Sequence, residues 1–251
     1  MLSVAIPNIF AFCALLTLVG GLVVWIVMLL RRSPFTPAQS ALYALNYSLV
    51  RILWRAEIHG SFPIPPGQGA VIVCNHRCPL DPSFLAIVVP RAIHWMVAKE
   101  YCEYPGFRKL LRLCEVIPVR RGAVDPTAVR EAIRLAKSGE LVGIFPEGRI
   151  NTTERLLLPS RSGAAMIALK AGAPIVPCYL HGVPYNGTTL GGLLMPARVR
   201  LEIGSPIDVS QYVNDNDRRN ALEELTRRLL KEMARLAGQA DFEPQLGGRA
   251  S

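Results

Sequence analysis

The sequence has no G-x-S-x-G turn, so it lacks the usual signature of a serine hydrolase, and no G-x-x-x-x-G-K-[S/T] loop to cradle nucleotide phosphates. Gly67-Gln68-Gly69 precedes an apolar run and does not follow one, which is the wrong order for a nucleotide fold. There is no zinc-finger spacing, no RNP-like aromatic motif and no basic arm, so nucleic acid is not an expected partner despite a formal charge of +9. The six cysteines form no framework pattern, and a cytosolic domain would keep them reduced. Cys74, His76 and Cys78 could hold a metal in principle, but no second ligand pair accompanies them and none is expected to be bound. No internal repeat is evident.

Charge is missing altogether from residues 9–30, an apolar run longer than the roughly 20 residues needed to cross a bilayer core. No Lys or Arg precedes it and no small-residue cleavage site follows, which argues against a signal peptide. Residues 1–32 are therefore expected to be an N-terminal membrane helix, spanning or, as the alternative, monotopic or re-entrant. Arg31-Arg32 place the remainder on the cytoplasmic side by the positive-inside rule. Residues 33–57 read as a Pro-containing linker and an amphipathic helix, either interfacial or core-facing. The basic excess suits an anionic leaflet, where each nearby Lys or Arg contributes on the order of 1 kcal/mol.

From residue 58 to 237 apolar runs of strand length alternate with helical patterns. Strands are expected at 70–74, 93–98, 116–119, 141–145, 175–180 and 198–203, and helices at 82–89, 101–113, 126–137, 163–170 and 217–236. The alternation implies an α/β fold, a mixed and largely parallel sheet covered by helices. Residues 101–113 mix aromatics with Arg108, Lys109 and Arg112, as either a headgroup-layer helix or a solvated amphipathic one. Residues 238–251 read as a flexible tail.

Polar clusters follow three of these strands: His76 with Asp81, Arg120 with Arg121, and Glu147 with Arg149. Strand ends in open α/β sheets are where ligands bind, so the three can converge on one cleft. If Asp81 opens a helix, the intervening loop can fold the imidazole of His76 onto the carboxylate. That fixes the tautomer and leaves the other ring nitrogen to take a proton. No convincing protein nucleophile lies nearby, so a base here would act on a substrate hydroxyl.

Asn75-His76 followed by four residues and then Asp81 resembles the first motif of the glycerolipid acyltransferases, the lysophosphatidic acid acyltransferase family. Val116-Ile117-Pro118-Val119-Arg120-Arg121 resembles the second block, Phe145-Pro146-Glu147-Gly148 the third and Ala173-Pro174-Ile175-Val176-Pro177 the fourth, in the family's order. The resemblance implies transfer of a fatty acyl group from acyl-CoA or acyl carrier protein to the free hydroxyl of lysophosphatidic acid, with another lysophospholipid or an amino-lipid as alternative acceptor. It implies His76 as general base, Asp81 as its orienting carboxylate, and Asn75, Arg120, Arg121, Glu147, Gly148 and Arg149 at the substrate, with Arg121 on the acceptor phosphate. No metal or redox cofactor is implied. Two departures fall near the acceptor: Arg149-Ile150-Asn151 replaces the family's Thr-Arg-Ser, and Glu115 replaces the Gly that opens the second block. A membrane-anchored lipid-binding protein with a decayed site is the competing class. His76, Asp81 and Glu147 together speak against it.

Overall fold

The computed structural model describes Thr17 and residues 34–89, 91–122, 125–188, 191–213 and 217–247. The expected N-terminal membrane helix therefore lies outside the described residues. Among those described, no helix is long and apolar enough to cross a membrane. The chain divides into a unit of residues 1–42 and a unit of residues 43–251.

Helix α1 (Pro37–Ser48) runs into a π-helical turn, Leu49–Leu53. The larger unit then carries strands β1 (Glu57–His59), β2 (Ala70–Cys74), β3 (Ile93–Ala98), β4 (Ile117–Val119), β5 (Leu141–Ile144), β6 (Ile175–His181) and β7 (Arg200–Ile203). Between and after them lie helices α2 (Asp81–Ala86), α3 (Lys99–Glu103), α4 (Pro105–Leu113), α5 (Pro126–Lys137), α6 (Gly163–Ala171), α7 (Ser210–Val213) and α8 (Arg218–Leu236).

The strands form one sheet in the order β1-β7-β6-β2-β5-β3-β4. Every pairing is parallel except β6 with β7. The mixed, largely parallel sheet expected from the alternating pattern is present. Buried on both faces, β2 is a continuous apolar run, as parallel strands are. Val71 and Val73 pack with residues of α5, α6 and α8, while Ile72 and Cys74 pack with Phe84 and Leu85 of α2 and Trp54. The core is thus two apolar layers separated by the sheet.

Local rules set several ends. Asp125 caps α5 by accepting from the amides of Thr127 and Ala128, with Pro126 in the first turn, and Asp217 caps α8 in the same way. The single helix expected over 101–113 is two helices. Tyr104 is extended (ψ 125°) because the following Pro105 disfavours a helical residue before it. Helix α2 stops at Ala86, short of the expected Val89. Past α8, where a flexible tail is expected, Phe242 and Leu246 pack against the core. Ser160 donates its amide to Gln245 and accepts from Gly247, so the chain is held as far as residue 247.

Candidate functional site

Strand β2 ends at Cys74, and the next residues turn across the carboxyl end of the sheet. Asn75 is fully buried: its side-chain amide donates to the Leu180 carbonyl (3.0 Å) and its side-chain oxygen accepts from the Leu180 amide (2.7 Å). Expected at the substrate, Asn75 instead clamps β2 to β6, and both its polar groups are engaged. This fixes the point from which His76 projects.

The Asp81 carboxylate is 0% exposed at the first residue of α2. Oδ2 accepts from His76 Nδ1 (2.8 Å) and from the amides of Arg77 (2.7 Å) and Cys78 (3.0 Å). Oδ1 accepts from the Cys78 thiol (3.2 Å). A buried carboxylate needs such donors to offset its lost hydration. Because an ionised carboxylate only accepts, the contact favours the proton on Nδ1, which in the neutral ring leaves the lone pair on Nε2. No described residue hydrogen-bonds Nε2, and the His76 side chain is 18% exposed. The sequence spacing foresaw this pair.

Phe145, at the end of β5, stacks on the His76 ring (centroids 4.0 Å apart, 9° between planes) and Trp95 stacks on Phe145 (4.6 Å, 15°). Gly143 makes room for the column, since a Cβ there would lie 2.4 Å from the Trp95 ring. Glu147 is buried, with Oε1 accepting from the His76 amide (2.8 Å) and Oε2 from the Leu158 amide (2.9 Å). Burial raises its pKa above the ordinary carboxylate range, opposed by those two amides. Expected to contact substrate, Glu147 braces the backbone of the histidine. Gly148 follows with φ +67°, a left-handed conformation suited to glycine, and turns Arg149 into solvent.

Arg77 donates to the carbonyls of Asn151 (3.2 Å), Thr153 (2.7 Å), Arg155 (2.7 Å) and Leu156 (3.4 Å), holding the loop after Glu147 against the β2 turn. Nothing in the local sequence marks this arginine, because its partners are more than seventy residues away. Arg120 and Arg121 lie at the end of β4, on the same edge of the sheet as His76, and both are exposed. Two strands separate β4 from β2, or roughly 14 Å between the strand ends at the usual spacing. The Arg121 guanidinium lies 4.0 Å from Glu100 and 5.3 Å above the Tyr101 ring.

The nearby thiols are unsuited to attack. Burial pushes Cys74 and Cys78 well up and Cys178 to about 12, and the Asp81 charge raises Cys78 further. Among the described residues no group of His, Cys, Asp and Glu side chains is arranged to hold a metal. The amides of His76, Arg77 and Cys78 are all committed to carboxylates, so an oxyanion must find its donors elsewhere.

A family model described as Acyltransferase matches residues 55–181, which include the β2 turn, Arg120, Arg121 and Glu147. The 1-acyl-sn-glycerol-3-phosphate acyltransferase of Bacillus subtilis is 29% identical over 180 residues, 70% of this chain and 87% of that one. The enzyme of the same description from Streptococcus pneumoniae is 30% identical over 196 residues, 75% of this chain and 70% of that one. The crystal structure of the 1-acyl-sn-glycerophosphate acyltransferase PlsC from Thermotoga maritima shares the fold, with a TM-score of 0.60 and 24% identity over 78% of this chain and 79% of that one.

Proposed function

This chain belongs to the acyltransferase family, as an O-acyltransferase of the lysophosphatidic acid acyltransferase type, and we propose that it moves a fatty acyl group from a thioester donor to the free hydroxyl of lysophosphatidic acid. The observation that carries the mechanism is the His76 Nδ1–Asp81 contact of 2.8 Å, with Nε2 left open. Nε2 takes the proton of the acceptor hydroxyl as its oxygen attacks the thioester carbonyl. The tetrahedral oxyanion collapses, the C–S bond breaks, and the departing thiolate takes the proton back from the imidazolium. Asp81 supports the transient positive charge. The buried, protonated cysteines favour direct attack over an acyl-enzyme.

Arg121, with Arg120, is the proposed ligand of the acceptor phosphate, because a guanidinium offers a fixed fork of donors and stays charged. Arg149 is exposed one residue beyond Gly148 and is a second candidate cation for the acceptor. Glu147 and Asn75 act on the substrate indirectly, by placing His76. Acyl-CoA and acyl carrier protein are both suitable donors, and no cofactor is invoked. The apolar residues 9–30 and Arg31-Arg32 support membrane attachment with the catalytic unit on the cytoplasmic side.

The test is acyl transfer by the purified, detergent-solubilised chain from each labelled donor to a panel of lysophospholipids. Phosphatidic acid as the main product supports the proposal. Transfer confined to another acceptor would move specificity to the departures at Glu115 and Arg149. Absence of product with every acceptor would remove the activity.

A further inference from the structure

The crossover from β3 to β4 carries α3 and α4, neither of which has a buried residue. None of the nine residues of α4 is buried. Its sequence, Pro-Gly-Phe-Arg-Lys-Leu-Leu-Arg-Leu, has three cations and no acid. At the helical period Arg108, Lys109 and Arg112 share one arc while Phe107, Leu110, Leu111 and Leu113 share the rest. Leu110 is 42% exposed, and Tyr101 and Tyr104 are 37% and 59% exposed. Phe107 ties the tyrosines together, 6.4 Å from Tyr101 and 5.5 Å from Tyr104 between ring centroids.

The acids of the hairpin face cations other than the three of α4. Glu103 pairs with Lys99 (3.2 Å) and Glu100 lies 4.0 Å from Arg121. Among the described residues no carboxylate pairs with Arg108, Lys109 or Arg112. A cavity of about 210 Å³ against the hairpin is lined by Leu111 and Pro118 together with Lys99, Glu103, Arg108 and Arg112. Exposed aromatics bordering a basic arc and an apolar one are the pattern of a helix lying at a headgroup layer. An acidic protein partner would use the cations but leave Tyr104 and Leu110 unexplained.

We propose that the α3–α4 hairpin docks on an anionic lipid surface, with Arg108, Lys109 and Arg112 on headgroup phosphates and Tyr101, Tyr104 and Leu110 at the boundary with the acyl chains. This rests on the acyl transfer proposed above for its purpose, because Tyr101 touches Arg121 and so joins the docking face to the proposed acceptor ligand. A lysophospholipid drawn from that surface would meet Arg121 first and His76 next.

The full-length chain would be reconstituted into vesicles of phosphatidylcholine alone or with phosphatidylglycerol, and amide exchange followed over residues 99–113. The apolar N-terminal run is present in both preparations, so the comparison isolates headgroup charge. Exchange slowed about tenfold only with phosphatidylglycerol is expected, as is loss of that protection in R108E/K109E/R112E. The same variant should raise the KM for lysophosphatidic acid in anionic vesicles about tenfold and leave turnover of a short-chain, monomeric acceptor unchanged. The neutral R108Q/K109Q/R112Q variant should fall between, and it replaces the reversal if that does not fold. Equal exchange in both vesicles, protection by acyl carrier protein without lipid, or equal loss on the monomeric acceptor would each overturn the proposal. Exchange needs no turnover, so selective protection of a chain that transfers no acyl group would keep the docking face and remove the reaction.

Discussion

At the end of β2 both oxygens of Asp81 are engaged by protein donors and the carboxylate is sealed from solvent, whereas at the end of β4 the Arg121 side chain is 58% exposed and only loosely paired. Both ends lie at the carboxyl end of one sheet, yet one is fixed by the protein and the other is not. The difference fits what the proposed mechanism asks of each. Proton transfer needs a tautomer and a ring plane held in place, which backbone amides, a thiol and a stacked column supply. Binding a mobile, charged headgroup needs a cation with reach, and a three-residue edge strand delivers it.

The comparison breaks first at Asp81. In Asp81→Asn an amide NH2 can face His76 Nδ1, which favours the tautomer with the proton on Nε2 and leaves no base. A fall in kcat on the order of a thousandfold is expected. Steady-state kinetics with a near-native circular dichroism spectrum would check it, and a change under tenfold would mean the carboxylate does not set the tautomer. At the other end, Arg121→Ala should raise the KM for lysophosphatidic acid roughly ten- to hundredfold with kcat little changed, the loss of a charge-assisted bond made in ground and transition states alike. A fall in kcat alone would place Arg121 at the reacting atoms.

Two smaller effects sharpen the fixed side. Glu147→Gln cannot accept from both the His76 and Leu158 amides, and a loss of about 1–3 kcal/mol is expected in denaturant unfolding. Its pH dependence has a sign. With the Glu147 pKa raised by burial, the folded chain keeps a proton that the unfolded chain has released. That contribution is full below the ordinary glutamate range and is lost as pH rises through the raised value. The deficit of the variant should therefore be largest in acid and narrow towards neutrality; a deficit that widens would reverse the assignment. Gly143→Ala places a Cβ against Trp95 and should cost about 1–3 kcal/mol, with kcat reduced as the Phe145 and His76 rings tilt. Unchanged stability would show that the column can slide.

What could be read in advance was what depends on near neighbours. The apolar run at β2, Asp125 and Pro126 before α5, and the His76–Asp81 spacing each declare themselves within a few residues, and the structure places them as expected. The break at Pro105 was also local, but the amphipathic pattern across it was stronger and hid it. The remaining differences are long-range. Asn75 meets Leu180 across 105 positions and Glu147 meets His76 across 71, so their burial and bracing roles are set by sheet order, which the chain does not spell out locally. Phe242 and Leu246 follow a polar, Gly-containing stretch that looks like a tail until the surface they cover is known.

The central claim is that His76, held by Asp81, is the base that activates the acceptor hydroxyl. It is tested most directly by single-turnover transfer from labelled acyl-CoA to lysophosphatidic acid, comparing the unaltered chain with His76→Ala under saturating acceptor. The expected result is phosphatidic acid from the unaltered chain and a rate about a hundredfold to ten-thousandfold lower in the variant. Phosphatidic acid formed at the same rate by both would contradict it.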